Sequence, residues 1–300
     1  MFRQALDYPT RPPAGGRAVL VGGALLLSVP FLGALGGLTV VLAPVAFFGL
    51  IAWLLVRGYY VRVIRTTIGR SDPQPPAFDR YGALLVDGLK ALFIAAVYLL
   101  PALVAVAVAA ATANVPSLTG PQALLQAVQA VAGLLALFGL LYAIGALFVV
   151  PVAVGLFAYT GQLRAAFGVR TVVNGALTED YAVAWFVSML LQLFVAPVAY
   201  LLYPILVGFF LRFHVSTGVR YCYGQGIGAA LKLEALPVPD SSANKARSTA
   251  VRDDRKAAPY EGRGARDGTR DGTARADDSH VADEDPLERE SDPLERKSER

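Results

Sequence analysis

Arg212 and His214 are the residues whose types and setting most readily suggest chemistry, because both interrupt a long apolar block. A helix that begins near Tyr203 would place Arg212 ~14 Å along its axis, near the middle of a ~30 Å hydrocarbon core. An arginine at that depth costs at least ~2.5 kcal/mol on insertion scales, so it would serve as an anion or substrate contact or in a proton relay. If the helix begins near Val198, Arg212 instead snorkels to the headgroups, and we favour this interpretation.

Asp87 and Lys90 form a second pair of polar residues in an apolar setting, three residues apart on one face of a predicted helix. As a proton or coupling-ion site, the pair would need burial within a helix bundle. We favour the alternative, an ion pair near the cytoplasmic end of the helix that neutralises itself.

Four arginines, Arg57, Arg62, Arg65 and Arg70, lie close together with two tyrosines between them. Arginine can bind phosphate through two N–H groups at once, and basic residues beside a membrane attract anionic lipids. We therefore predict that these arginines contact lipid headgroups. They would also determine topology, and the two roles are compatible.

The sequence lacks the patterns that indicate a catalytic or metal site. With 2 histidines and 1 cysteine, it has too few ligands for a His- or Cys-based metal centre and cannot form an intrachain disulfide. The glycine-rich segment 224–228 lacks the preceding strand and the Gly-Lys-Ser/Thr ending of a phosphate-binding loop. No Ser-x-x-Lys, His-Glu-x-x-His or Gly-x-Ser-x-Gly motif is present. We therefore expect no cofactor and no enzymatic activity.

Long apolar blocks must position these side chains. The first, Ala18–Val56, carries no charged residue, and as a single helix it would measure ~58 Å, about twice the hydrocarbon core. It therefore predicts two helices that fold back at Gly33–Gly37, although the spacing of these glycines also matches a small-x3-small packing motif. Three further blocks follow, at Ala83–Ala113, Ala123–Thr160 and Tyr181–Leu211.

The arginines set the orientation, because short cytoplasmic segments of membrane proteins are enriched in Lys and Arg. Placing every arginine-bearing segment inside predicts an all-α membrane protein, a six-helix transmembrane bundle of three hairpins with both termini in the cytoplasm. The predicted helices cover residues 18–36, 38–60, 84–111, 124–150, 181–199 and 203–223. In a five-helix alternative, Tyr181–Leu211 is one tilted span and the C-terminal tail lies outside. Pro151 either kinks the fourth helix or releases Val150–Gly168 to lie at the interface as a short amphipathic helix.

Composition divides the chain into a cytoplasmic N-terminal segment (1–17), a transmembrane domain (18–235) and a tail (236–300). The tail combines mixed charge with Gly, Pro and Ser, which predicts disorder. The whole chain is 55% hydrophobic, with a mean hydropathy of +0.50, as expected for a membrane protein. The net charge is +4. The residues up to Pro239 carry an excess of Lys and Arg, and those after it carry an excess of Asp and Glu. This distribution gives no reason to expect a nucleic-acid partner.

Several short motifs resemble a known family. They are Gly58-Tyr59, Arg62, Arg65, Gly69, Pro75-Pro76-x-Phe78-Asp79 and Val86-Asp87-Gly88-Leu89-Lys90-Ala91, and later Tyr159, Ala165-Ala166-Phe167, Tyr181, Phe210-x2-Phe213, Arg220 and Gly224. Over roughly residues 1–235, the pattern is similar to the archaeal membrane family called domain of unknown function 4013, common in haloarchaea. The resemblance implies a multi-pass membrane protein and no particular reaction.

Two classes of function fit these observations. We expect a non-enzymatic scaffold or envelope component of the cell membrane, whose partners are the lipid bilayer and its anionic lipids; protein partners cannot be identified. The alternative is a small transporter or permease subunit, because broken helices and intramembrane polar residues are typical of transport pathways. A polar cavity lined by Arg212, Asp87 and Gln192 would favour transport, and a solid, dry bundle would favour the scaffold. An intramembrane enzyme would need paired catalytic groups at one depth, which the sequence does not offer.

Overall fold

The computed structural model describes residues 1–113 and 122–237, and every regular element within these two ranges is helical. The α-helices are α1 (Phe2–Asp7), α2 (Gly15–Gly37), α3 (Ala43–Thr67), α4 (Tyr81–Ala113), α5 (Gln122–Thr160), α6 (Val169–Ala176), α7 (Glu179–Phe194), α8 (Ala196–Leu201) and α9 (Val207–Ala230). Short 3₁₀ turns occur at Tyr8–Thr10, Val40–Leu42, Leu163–Phe167 and Tyr203–Ile205. The predicted disorder of the tail concerns residues that lie, apart from 236 and 237, outside the described ranges.

Several of these helices are long and apolar enough to cross a membrane, which confirms the prediction of an all-α protein with multiple membrane helices. Among the described residues there are 5 such segments, Gly15–Gly37, Val40–Thr67, Tyr81–Thr112, Gln126–Thr160 and Glu179–Leu201. The sixth predicted span corresponds in position to α9, which is not one of the five. Arg212, Arg220 and several glycines lower the hydropathy of α9.

The reversal between α2 and α3 lies later than predicted. The prediction of a turn at Gly33–Gly37 is wrong, since α2 continues through Gly37 and the backbone becomes extended only at Thr39. Gly36 is buried because α3 passes so close that a Cβ atom there would lie 2.7 Å from the Cβ of Ala46. A glycine therefore permits close helix packing here, as in the small-x3-small alternative.

Helices α3 and α4 also approach closely through glycines. A Cβ atom at Gly58 would overlap the carbonyl of Leu84, and one at Gly88 would overlap the carbonyl of Leu54. The two helices thus pack backbone to backbone, each through its own glycine. This contact brings the arginine-bearing half of α3 beside the first turns of α4.

Pro151 does not end the fourth predicted helix at residue 150. Helix α5 continues through it to Thr160, because the turns after the proline are held by packing: Val152, Ala153 and Phe157 are buried. A short amphipathic helix does follow, but it is α6, later in the chain than Val150–Gly168.

The last apolar block is not a single helix, so the tilted span of the five-helix alternative does not form. The chain passes from α7 to α8 at Val195 and then reverses at Leu206, whose φ of 64° is left-handed. Helix α7 packs along α9, where Ser188 contacts the carbonyl of Val219. Since α9 begins at Val207, it starts four residues later than predicted.

The core is rich in aromatic side chains. Tyr8, Tyr59, Phe157, Tyr181 and Phe213 are almost completely buried, and they come from five different elements. The tyrosine hydroxyls donate to backbone carbonyls, those of Tyr8 and Tyr59 to the connection between α3 and α4 and that of Tyr181 to α5. Each of these three buried hydroxyl groups thus has a hydrogen-bond partner, as buried polar groups usually do. We call this set of buried residues the closed aromatic core.

Candidate functional site

Arg62, a predicted lipid contact, is tied to the connection between α3 and α4. Its Nη1 donates to the carbonyls of Ala77 (3.1 Å) and Asp79 (3.0 Å) and forms an ion pair with the Asp79 carboxylate. The side chain is only 14% exposed. Arg62 therefore fixes the loop that leads into α4.

Arg65 joins three helices. Its Nε donates to the carbonyl of Ala158 on α5 (2.7 Å), and its Nη1 lies 3.3 Å from Oδ2 of Asp87 on α4. Asp87 thus pairs with Arg65 and not with Lys90. The Lys90 ammonium instead lies 5.8 Å from the centre of the Phe157 ring.

Arg70 holds the end of the described chain. Its Nη2 donates to the carbonyl of Leu236 (2.6 Å), and the Gln225 side chain donates to the carbonyls of Thr67 (2.7 Å) and Arg70 (2.9 Å). Three of the four predicted lipid contacts therefore make bonds within the protein. The fourth, Arg57, has a different environment.

Arg212 and His214 lie on different faces of α9, since residues two apart on a helix are separated by about 200°. His214 lies against α1, within hydrogen-bonding reach of the Leu6 backbone. The Arg212 guanidinium carbon lies 5.4 Å from the centre of the Tyr200 ring. Because α9 begins at Val207, Arg212 is only ~8 Å from the helix start, and the structure does not bring these two residues together as a pair.

Arg212 belongs to a different constellation, which we call the arginine cluster: Arg57, Arg212 and Arg220. Helix α3 provides the first and α9 provides the other two. Arg57 and Arg220 lie beside Tyr60, which is 8% exposed. Arg212 lies about two turns before Arg220 on the same side of α9. Two like charges therefore flank one buried tyrosine, and a third lies nearby along α9.

Aromatic rings cover the faces of these guanidinium groups. The Arg57 guanidinium carbon lies 4.6 Å from the centre of the Trp53 ring, and that of Arg220 lies 5.3 Å from Tyr60 and 5.5 Å from Tyr223. Such contacts are attractive, but a ring carries no net charge. They leave the N–H groups at the guanidinium edge available.

No carboxylate neutralises the cluster among the described residues. The four ion pairs found in residues 1–113 and 122–237 are Arg3–Asp7, Arg11–Asp72, Arg62–Asp79 and Arg65–Asp87. Within the same ranges, Nη1 of Arg212 is buried without a hydrogen-bond partner. A buried polar group without a hydrogen-bond partner is costly, so this cluster is a candidate functional site.

A cavity of about 70 Å³ lies beside the cluster, with room for several water molecules. Its polar side is formed by Arg57, Tyr60 and Arg220. Apolar residues of α3, α4 and α5 complete the lining: Val61, Ile64, Ala91, Ala95, Val150, Pro151 and Val154. Asp87, Arg212 and Gln192 do not line it, and Gln192 is exposed on α7.

Tyr60 and Arg220 are site residues that sequence reasoning missed. A signal was present: Arg212, Ser216 and Arg220 recur every four residues, which places them on one side of a helix. Ser216 lies within hydrogen-bonding reach of Tyr60. What the spacing does not reveal is that this side of α9 faces Arg57, which is far away in the sequence.

The chemistry of the cluster suits an anion. Guanidinium groups only donate hydrogen bonds, and hydroxyl groups can donate as well. In the part of the chain that the structure describes, no group of 3 or more His, Cys, Asp or Glu side chains could hold a metal ion.

Comparison with known proteins identifies one family, described as "Protein of unknown function (DUF4013)", which matches residues 41–204. The matched range runs from α3 to α8 and is shorter than the predicted 1–235; it includes Arg57 and ends before Arg212. No curated protein and no solved structure matches the chain. Since the match covers more than half of the chain, the protein belongs to the DUF4013 family.

Proposed function

We propose that this protein crosses the cell membrane six times, as three helical hairpins with both termini in the cytoplasm. Packing of α2 along α3, α4 along α5 and α7 along α9 supports the hairpins. The distribution of charge supports the orientation. The connections at 38–42 and 195–206 carry no charged residue, whereas the opposite ends of the helices carry the paired arginines.

Within that architecture, the protein acts as a non-enzymatic membrane scaffold or envelope component. The observation that supports this function is the closed aromatic core, in which large side chains from five elements are almost completely buried. The cavity of about 70 Å³ is a small pocket beside this core. A close-packed interior of this kind is rigid and leaves little room for a solute.

A small transporter or permease subunit is the second candidate, and one observation favours it. The arginine cluster lies next to the interrupted helices α7, α8 and α9, and interrupted helices are common at transporter binding sites. Transport would require the pocket to open alternately to the two sides of the membrane.

Solute flux distinguishes the two candidates. The full chain is reconstituted into liposomes loaded with phosphate or chloride, and release of the anions is compared with that from protein-free liposomes loaded in the same way. The scaffold function predicts equal release from both. Protein-dependent release that Arg57→Gln abolishes and the exposed Arg170→Gln preserves would replace the scaffold with the transporter.

A further inference from the structure

We propose that Arg57 and Arg220 of the arginine cluster, with Tyr60, bind one phosphate-type oxyanion in the cavity between α3 and α9. The anion is either the phosphate of a phospholipid headgroup or free inorganic phosphate. This inference rests on the proposed placement of α3 and α9 in the membrane, but not on the scaffold function.

Charge balance is the first argument. Two guanidinium groups, those of Arg57 and Arg220, border one cavity beside the buried phenol of Tyr60. In the described residues, every carboxylate that forms an ion pair is engaged by an arginine outside the cluster. In a medium of low dielectric constant, like charges repel more strongly than in water, so an anion placed among them would relieve the repulsion.

The free donors are the second argument. Arg212, whose Nη1 is buried without a partner, does not line the cavity. The guanidinium groups of Arg57 and Arg220 do line it, and within residues 1–113 and 122–237 they form no hydrogen bond. Their faces rest on aromatic rings, which keeps the planes fixed and the edges open. A guanidinium edge matches two oxygens of a phosphate group, so an oxyanion with several oxygens could contact more than one arginine.

Space is the third argument. The cavity is bordered by Arg57, Tyr60 and Arg220 on one side and by apolar residues of α4 and α5 on the other. A volume of about 70 Å³ accommodates several waters, or a compact oxyanion in their place. The apolar side would exclude water around the bound anion, which strengthens its ion pairs.

The test measures bound phosphorus in the full chain, purified in detergent. In one arm, tightly held phospholipid is counted by native mass spectrometry and phosphorus analysis. In the other, delipidated protein is titrated calorimetrically with inorganic phosphate. Both arms compare the wild type with Arg57→Gln and Arg220→Gln, and with Arg170→Gln as the matched control, because Arg170 is exposed on α6.

Loss of a charge-assisted contact weakens binding about tenfold. We expect this loss in Arg57→Gln and Arg220→Gln and none in Arg170→Gln. A response confined to phospholipid identifies a headgroup, and a response to inorganic phosphate identifies the free anion. Absence of both probes from the wild type, or equal binding by all variants, would overturn the proposal.

Misfolding of the Gln variants would not prevent a decision. Arg57→Lys and Arg220→Lys retain the charge but lose the two-pronged donor geometry, and the proposal predicts weaker binding in these variants as well. Topology and anion flux are measured in experiments separate from the count of bound phosphorus. A failure of this proposal therefore differs from a failure of the proposed function.

Discussion

The arginines of this protein fall into two groups that differ in what surrounds the guanidinium group. Arg62, Arg65 and Arg70 donate to backbone carbonyls, and the first two also pair with carboxylates. The arginine cluster has aromatic rings and no anionic partner among the described residues. The first group stabilises connections between helices, and the second leaves donors available.

The Arg65–Asp87 ion pair gives the first prediction. Because its partners lie on α3 and α4 and are mostly buried, a double-mutant cycle with Arg65→Gln and Asp87→Asn should show a coupling free energy of about 1 kcal/mol. Unfolding in detergent measures it. The matched cycle with Lys90→Gln and Asp87→Asn should give a coupling near zero, and a larger coupling to Lys90 than to Arg65 would contradict the pairing.

Arg212 gives the second prediction, in which removal of an arginine stabilises the protein. In protein freed of lipid and phosphate, Arg212→Gln removes a guanidinium group whose buried Nη1 lacks a hydrogen-bond partner and should raise the free energy of unfolding by up to ~2 kcal/mol. Arg62→Gln, which loses an ion pair and two hydrogen bonds to carbonyls, should lower it. Melting temperatures of the two variants in detergent provide the comparison. Equal destabilisation by both would mean that Arg212 is a structural residue.

At the scale of the helices, glycine determines how closely neighbours approach. Gly58 and Gly88 face the carbonyls of the opposite helix, so α3 and α4 touch along their backbones. This close approach places Arg65 on α3 within reach of Asp87 on α4. Arg57 of the arginine cluster directly precedes Gly58, so the same contact also fixes the part of α3 that carries Arg57.

Gly58→Ala tests this contact. The added methyl group would overlap the Leu84 carbonyl, and overpacking of this kind costs about 1–3 kcal/mol. Gly133→Ala on α5 is the matched control, because no atom lies within 4 Å of a Cβ there and alanine favours a helix by ~1 kcal/mol. Thermal melting in detergent should show a less stable Gly58→Ala and an equal or more stable Gly133→Ala.

Sequence reasoning predicted the helices well because apolar length is a strong signal. It misplaced the turn at Gly33–Gly37, since a glycine that permits helix packing and one that ends a helix look alike in a single sequence. It ended the fourth helix at Pro151, although burial of the following turns outweighs one lost hydrogen bond.

The candidate site was predicted only in part, for a related reason. Arg57 and Arg212 were each recognised, but as members of different sites. Their proximity depends on the packing of α3 beside α9, which no local pattern encodes. The ion pair of Asp87 with Arg65 in place of Lys90 likewise depends on the contact between α3 and α4.

At the largest scale, the described residues place a basic surface and an apolar surface at opposite ends of the helices. The paired arginines lie at one end of the helices, with the connection between α3 and α4 and the segment before residue 237. At the opposite end, the described connections expose apolar residues such as Val41 and Leu201. By the positive-inside rule, such a separation favours the proposed orientation, in which the basic end faces the cytoplasm.

Cysteine labelling tests that orientation on the full chain. Cys222, the only cysteine, is buried, and a Cys222→Ala background removes it. Single cysteines are introduced at Val41 and Leu201 at one end, and at Ser71 and Leu177 at the other, because all four positions are exposed.

In intact cells, a membrane-impermeant maleimide should label the first two, and the last two only after permeabilisation. The proposed orientation predicts this pattern, since arginine-rich segments tend to stay on the cytoplasmic side. Labelling of Ser71→Cys or Leu177→Cys in intact cells would reverse the orientation. Labelling of Val41→Cys without Leu201→Cys would instead reject six spans.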